Sequence, residues 1–153
     1  MATGQDIEGL IAALDAIAEE GLHYFEGPGR SSQARVGQWG PREVLAHLTF
    51  WHEASVRGME SVAEGGQPFR LELPVDEANA RAVADRDDKD LPGLVADARS
   101  LHGRFVQAAR AIADPGAVVV IRGDGSEAPV WQRFEITINH WREHIRDLQA
   151  DGS

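Results

Sequence analysis

The sequence contains no cysteine. That excludes disulfides, thiolate metal sites and cysteine nucleophiles, so any metal must be held by nitrogen and oxygen ligands. Long apolar runs are missing as well, and no stretch approaches the ~20 residues that cross a bilayer. Residues 1–20 are acidic and amphipathic rather than basic and then apolar. No secretory signal is therefore expected, and the chain is read as cytoplasmic. Positive charge is scarce, with 15 Lys and Arg against 25 Asp and Glu and a formal net charge of −10. The arginines are scattered without a cluster, so a phosphate backbone would be repelled and nucleic-acid binding is disfavoured. There is no GxSxG elbow for a serine nucleophile. Gly123-Asp124-Gly125 lacks a phosphate-loop pattern and reads as a turn.

What is present is ordinary globular material: 153 residues, 42% hydrophobic and 26% charged, enough for one domain with a proper core. Helical periodicity accounts for most of it. Ile7, Leu10, Ile11, Leu14, Ile17, Gly21 and Phe25 recur at three- and four-residue steps, predicting a helix over about residues 5–25. A glycine-rich loop follows. Gly40-Pro41 opens a second helix, which Gly65-Gly66 stops, with Val44, Leu48, Trp51, Ser55, Met59 and Val62 facing inward. Residues 67–90 read as a long connection, with a short helix over DEANARAVA. A third long helix fits Leu91 to Ile112, capped by Asp90. The β-branched run at 118–121 is either a short strand or an extended connection packed on the core. A last helix over about 128–149 carries Val130, Phe134, Thr137, Ile138, Trp141, Ile145 and Leu148 on its stripe. The expected fold is all-α, a four-helix bundle with long connections over residues 1–153.

Six histidines are the unusual supply of site chemistry. His140 and His144, four residues apart, would sit on one face of the last helix about 6 Å apart along its axis. Two neutral imidazoles so placed can share one metal ion. His47 on the second helix is the first candidate for a third ligand, and His52, on the opposite shoulder of that helix, is the second. His23 and His102 read as surface or packing residues. Glu143 precedes the second histidine instead of following the first, so the zinc-protease arrangement HExxH does not apply. Asp147 could orient a ligating ring, although a solvated carboxylate in the last turn is the plainer reading. Trp39, Trp51 and Trp131 read as packing residues. Three histidines would leave coordination positions open for water or substrate, which marks a reactive site.

Three segments carry a resemblance to a known family. QWGPREVLAHLTFWHE resembles the second-helix motif of the DinB-like superfamily, INHWREHIRDLQ is similar to its final-helix HxxxH, and LPVDEANARAVADRDDKDLPGLVADARSLHGRFVQAARAI is similar to its middle region. This is the damage-inducible bundle family, not the DNA polymerase of the same name. The resemblance spans nearly the whole chain. It implies a four-helix bundle holding a divalent metal, nickel or zinc, on three histidines that fall at His47, His140 and His144. It also implies a homodimer. Relatives include isomerases and transferases dependent on mycothiol or bacillithiol, and others that act on a reactive metabolite.

The sequence thus supports a metal-dependent enzyme acting on a small molecule, by thiol-dependent transfer or isomerisation or by hydrolysis with metal-activated water. Trp51, Asp76 and Asn79 are the candidates for the substrate pocket. Two other readings stand beside it. One is a non-catalytic small-molecule-binding or stress-response module with a structural or vestigial metal site, and the other is a chance histidine cluster in an ordinary bundle.

Overall fold

A computed structural model describes residues 7–30, 32, 34–35, 39–72, 74–86, 88–112 and 114–152. Four long helices form the body: α1 (Ile7–Glu26), α2 (Pro41–Ala63), α4 (Leu91–Ile112) and α5 (Val130–Gly152). A shorter α3 (Val75–Ala84) lies in the connection after α2. Strands β1 (Phe69–Arg70), β2 (Val118–Ile121) and β3 (Glu127–Pro129) make a small sheet in the order β1-β2-β3. The bundle is all-α in its architecture, and the run at 118–121 is a strand. Gln5, placed in the first helix by its periodicity, lies outside the described residues.

Local chemistry sets the helix ends. At the start of α2, Pro41 occupies the first turn, where its missing N–H costs nothing. Glu43 Oε1 accepts a hydrogen bond from the Gly40 amide at 3.0 Å, the carboxylate half of a capping box. At the other end, the Gly66 amide donates to Ser61 O at 2.8 Å and the Gly65 amide to Val62 O at 3.0 Å. That is a Schellman motif, and it needs the positive φ of 86° that Gly65 adopts. Asp90 Oδ1 accepts from the Gly93 amide at 2.9 Å, capping α4 as its sequence position suggests.

The last helix begins two residues later than its periodicity predicts. Ala128 pairs with Val120 in β3 instead of opening α5. Pro129 explains the difference, because its ring keeps the preceding residue out of the helical region and in extended geometry. The Val130 and Trp131 amides then donate to Ala117 O and Pro115 O, at 2.9 and 3.0 Å, which anchors the start of α5.

α2 packs chiefly against α4, and α1 against α5. Leu14, Phe25, Leu45, Leu48, Met59, Leu94, Phe105, Phe134, Trp141, Ile145 and Leu148 are fully buried at the centre. Each such side chain contributes roughly 1.5–3 kcal/mol relative to exposure. Gly21 lets α1 approach α5 closely, since a Cβ there would lie 2.6 Å from Trp141 Cε3. Gly58 does the same for α2 and the sheet, where a Cβ would fall 1.9 Å from Val119 O. These approaches seat the sheet on one flank of α2 and leave the facing edges of α2 and α5 beside an open cavity.

Candidate metal centre

α2 and α5 each direct a histidine edge toward this cavity. The ring centroids of His47 and His140 are 4.6 Å apart, those of His47 and His144 5.2 Å, and those of His140 and His144 4.7 Å. One nitrogen from each ring can be chosen so that all three lie within 4.8 Å of one another. His47 Nε2 and His140 Nε2 approach to 2.7 Å, so without an ion one ring donates an N–H to the other. His47 is 4% exposed, and the Trp39 ring lies 4.9 Å from it.

Burial controls the protonation of all three rings. It pushes His47 down to about 3, with further contributions from His140 and His144. His140 is held down at about 4, first by burial and then by His144 and Arg133. His144 is lowered by burial against the opposing pull of Asp147 and Glu143. At neutral pH the three rings therefore present lone pairs rather than charges. Asp147 itself is exposed in the last turns of α5 and acts on His144 only through its field.

The donor set fits a divalent cation. Two nitrogens bonded to one ion at about 2.1 Å sit roughly 3.0–3.4 Å apart, so the 2.7 Å pair need open by only a few tenths of an ångström. Nδ1 of His47 and Nδ1 of His144 are buried with no hydrogen-bond partner among the described residues. Such orphaned nitrogens are costly in a fold that uses these rings for packing alone. Three neutral nitrogens with open positions toward a cavity suit nickel or zinc better than calcium or magnesium, which prefer oxygen.

The cavity itself is about 580 Å³, within the usual range for small-molecule sites. His47, His140 and His144 form one part of its lining, and Trp51 and Asn79 another. Trp51 Nε1 donates to Asn79 Oδ1 at 2.8 Å, so the amide on α3 fixes the indole on α2. Asp76 lies one turn earlier on α3, exposed, and is not among the lining residues. His52 also reaches the cavity wall, but from the opposite side of the α2 stripe. It is 2% exposed, packed edge-on against Phe105 at 4.9 Å, and both its nitrogens lack partners among the described residues. His102 stands 6.1 Å from His52 and its Nε2 meets Asp15 Oδ1 at 2.5 Å. His23 is exposed on α1.

The sequence reading passed over two arginines of the cavity, Arg122 and Arg133. Arg133 is 3% exposed, and its Nε donates to Ser55 Oγ at 2.8 Å. Burial, reinforced by Arg122, pulls its guanidinium down to about 10, so it remains charged at neutral pH. A signal for it was available: position 133 is two turns before His140 and shares its helical face.

Fold and histidines together define the class, an all-α helical bundle with a three-imidazole cluster at the edge of a cavity. Among solved structures, the chain resembles the mycothiol-dependent maleylpyruvate isomerase, with a TM-score of 0.75 and 15% sequence identity over 94% of this chain. At that identity the likeness is one of fold. The chain spans 61% of the length of that structure's chain. No family model and no curated protein matches the sequence. No helix among the described residues is long and apolar enough to cross a membrane.

Proposed function

We propose that this protein is a divalent-metal-dependent enzyme acting on a small molecule, with a low-molecular-weight thiol as co-substrate in a transfer or isomerisation. The observation that carries the reading is the convergence of His47, His140 and His144 beside a cavity of ligand size. Support also comes from the fold likeness to the mycothiol-dependent maleylpyruvate isomerase.

In this reading His47, His140 and His144 hold the ion through neutral ring nitrogens. When bound, the ion supplies a Lewis acid that lets a thiol ionise near neutral pH. The remaining roles belong to the protein. The Trp39 ring covers one side of His47 and keeps water from it. Trp51, held by Asn79, offers a flat apolar wall against which an organic substrate can orient. Because the rings bind as neutral donors, acidification weakens the site by protonating them. The homodimer implied by the motifs belongs to this proposal as well.

The test is turnover with metal analysis. Nickel- or zinc-loaded protein is incubated with a thiol and a panel of electrophilic or cis-unsaturated small molecules, and thiol consumption and isomerisation are followed. Activity is expected with the loaded protein and should vanish on chelation and in His140→Ala. Turnover that survives complete removal of the metal would refute the mechanism.

A further inference from the structure

Among the described residues Arg133 is the only buried arginine, and it has no anionic partner. Its surroundings make this unusual. Arg42, Arg57, Arg86, Arg99, Arg104 and Arg110, all more exposed, each meet a glutamate at 3.1 Å or less. In a chain with 25 acidic residues against 15 basic ones, a counter-ion was easy to supply. Burying a charge without one is expensive, and proteins rarely keep such a group unless something else pairs with it.

The geometry shows where that partner belongs. Nε of Arg133 is committed to Ser55 Oγ at 2.8 Å, and Ser55 in turn donates to Trp51 O at 3.3 Å. This chain fixes the plane of the guanidinium while leaving Nη1 and Nη2 without a hydrogen bond among the described residues. Both Arg133 and Arg122 line the histidine cavity. Arg122 is held by Gln132 Oε1 at 2.6 Å and Ser126 Oγ at 3.2 Å, both neutral, and the Asp124 carboxylate feels its charge without a direct ion pair among the described residues. On α5, Arg133 and His140 are two turns apart, about 10 Å along the axis and on one face.

We propose that Arg133 is the anion-recognition residue of this cavity, receiving the carboxylate of a small organic acid on its free Nη1 and Nη2 edge, with Arg122 adding positive field. Guanidinium and carboxylate match as a two-pronged pair, and a water-poor wall strengthens the pairing. A short carbon chain then extends from the arginine toward the three imidazoles. The inference deepens the proposed function by naming its substrate class, and it rests on that reading only in placing the substrate in the same cavity.

The experiment uses metal-stripped full-length protein, so that no ion can bind the probe directly. Benzoate and its neutral analogue benzamide are titrated and followed by NMR. Wild type should bind benzoate at least tenfold more tightly than benzamide. Arg133→Gln should abolish that preference while leaving the weak benzamide affinity unchanged, a split that a merely structural role would not produce. Arg133→Lys, which keeps the charge and the fold but not the fork, should lose several-fold of the benzoate affinity. Equal binding of the two probes by wild type, or undiminished preference in either variant, would overturn the proposal. Zinc titration of the same preparations reports on the histidines separately. A failure there would leave the arginine result standing, and the reverse holds.

Discussion

Neutral imidazoles buried without partners make this fold sensitive to acid. His52 shows it most cleanly, because it is fully enclosed and lies outside the histidine trio. Burial, with His102 and Arg133 contributing, pushes its ring down to about 3. In the unfolded chain a histidine titrates near ~6.5. Between those values the unfolded chain binds a proton that the folded one refuses, so stability falls as pH drops through that window. The loss for this one group approaches about 1.4 kcal/mol per pH unit. Chemical denaturation of metal-free protein at pH 7 and pH 5 should therefore show His52→Leu losing about 2 kcal/mol less than wild type. Equal losses in both proteins would mean that His52 takes up its proton in the fold. At this scale the sequence was legible where spacing carries meaning. His140 and His144 declare themselves by their four-residue step, and His47 by its edge of an amphipathic helix. Arg133 was not legible in that way, because an arginine is ordinarily solvated and the lack of a counter-ion is a property of the folded neighbourhood.

Helices and strands differ in how openly they advertise themselves. α1, α2 and α4 have long apolar stripes with caps at Gly65 and Asp90, and their extents follow from those features. The sheet could not be read in the same way. β1 is 2 residues long and β3 is 3, too short for any alternation to register. Only β2, a run of branched residues, left a trace. Its backbone presses on α2 at Gly58, and this contact sets how the sheet roofs the helix pair. Gly58→Ala would add helix propensity worth up to about 1 kcal/mol in isolation. The clash with Val119 O should override that gain and destabilise the protein by about 3 kcal/mol, the upper end for overpacking. Thermal or chemical denaturation decides the matter. A Gly58→Ala protein as stable as wild type would mean that α2 and β2 do not touch as described. Asp76 and Asn79 illustrate a different limit: both were candidates for the pocket, but only the fold of α3 back onto α2 decides that Asn79 meets Trp51 while Asp76 stays off the cavity lining.

On the scale of the whole molecule, the bundle brings residues nearly a hundred positions apart to one point and opens a cavity against them. The general architecture was readable because four amphipathic helices with long connections have few ways to bury their stripes. The cavity was not, since its volume depends on how β2, α3 and the ends of α2 and α5 fit together. Everything proposed about chemistry depends on that meeting of His47, His140 and His144. The most direct measurement is a crystal structure of nickel-loaded protein with anomalous data collected at the nickel edge. One strong peak per chain should lie about 2.1 Å from a nitrogen of each of the three rings. A map with no peak between the rings, or with nickel held elsewhere, would contradict the assignment of these histidines as a metal centre.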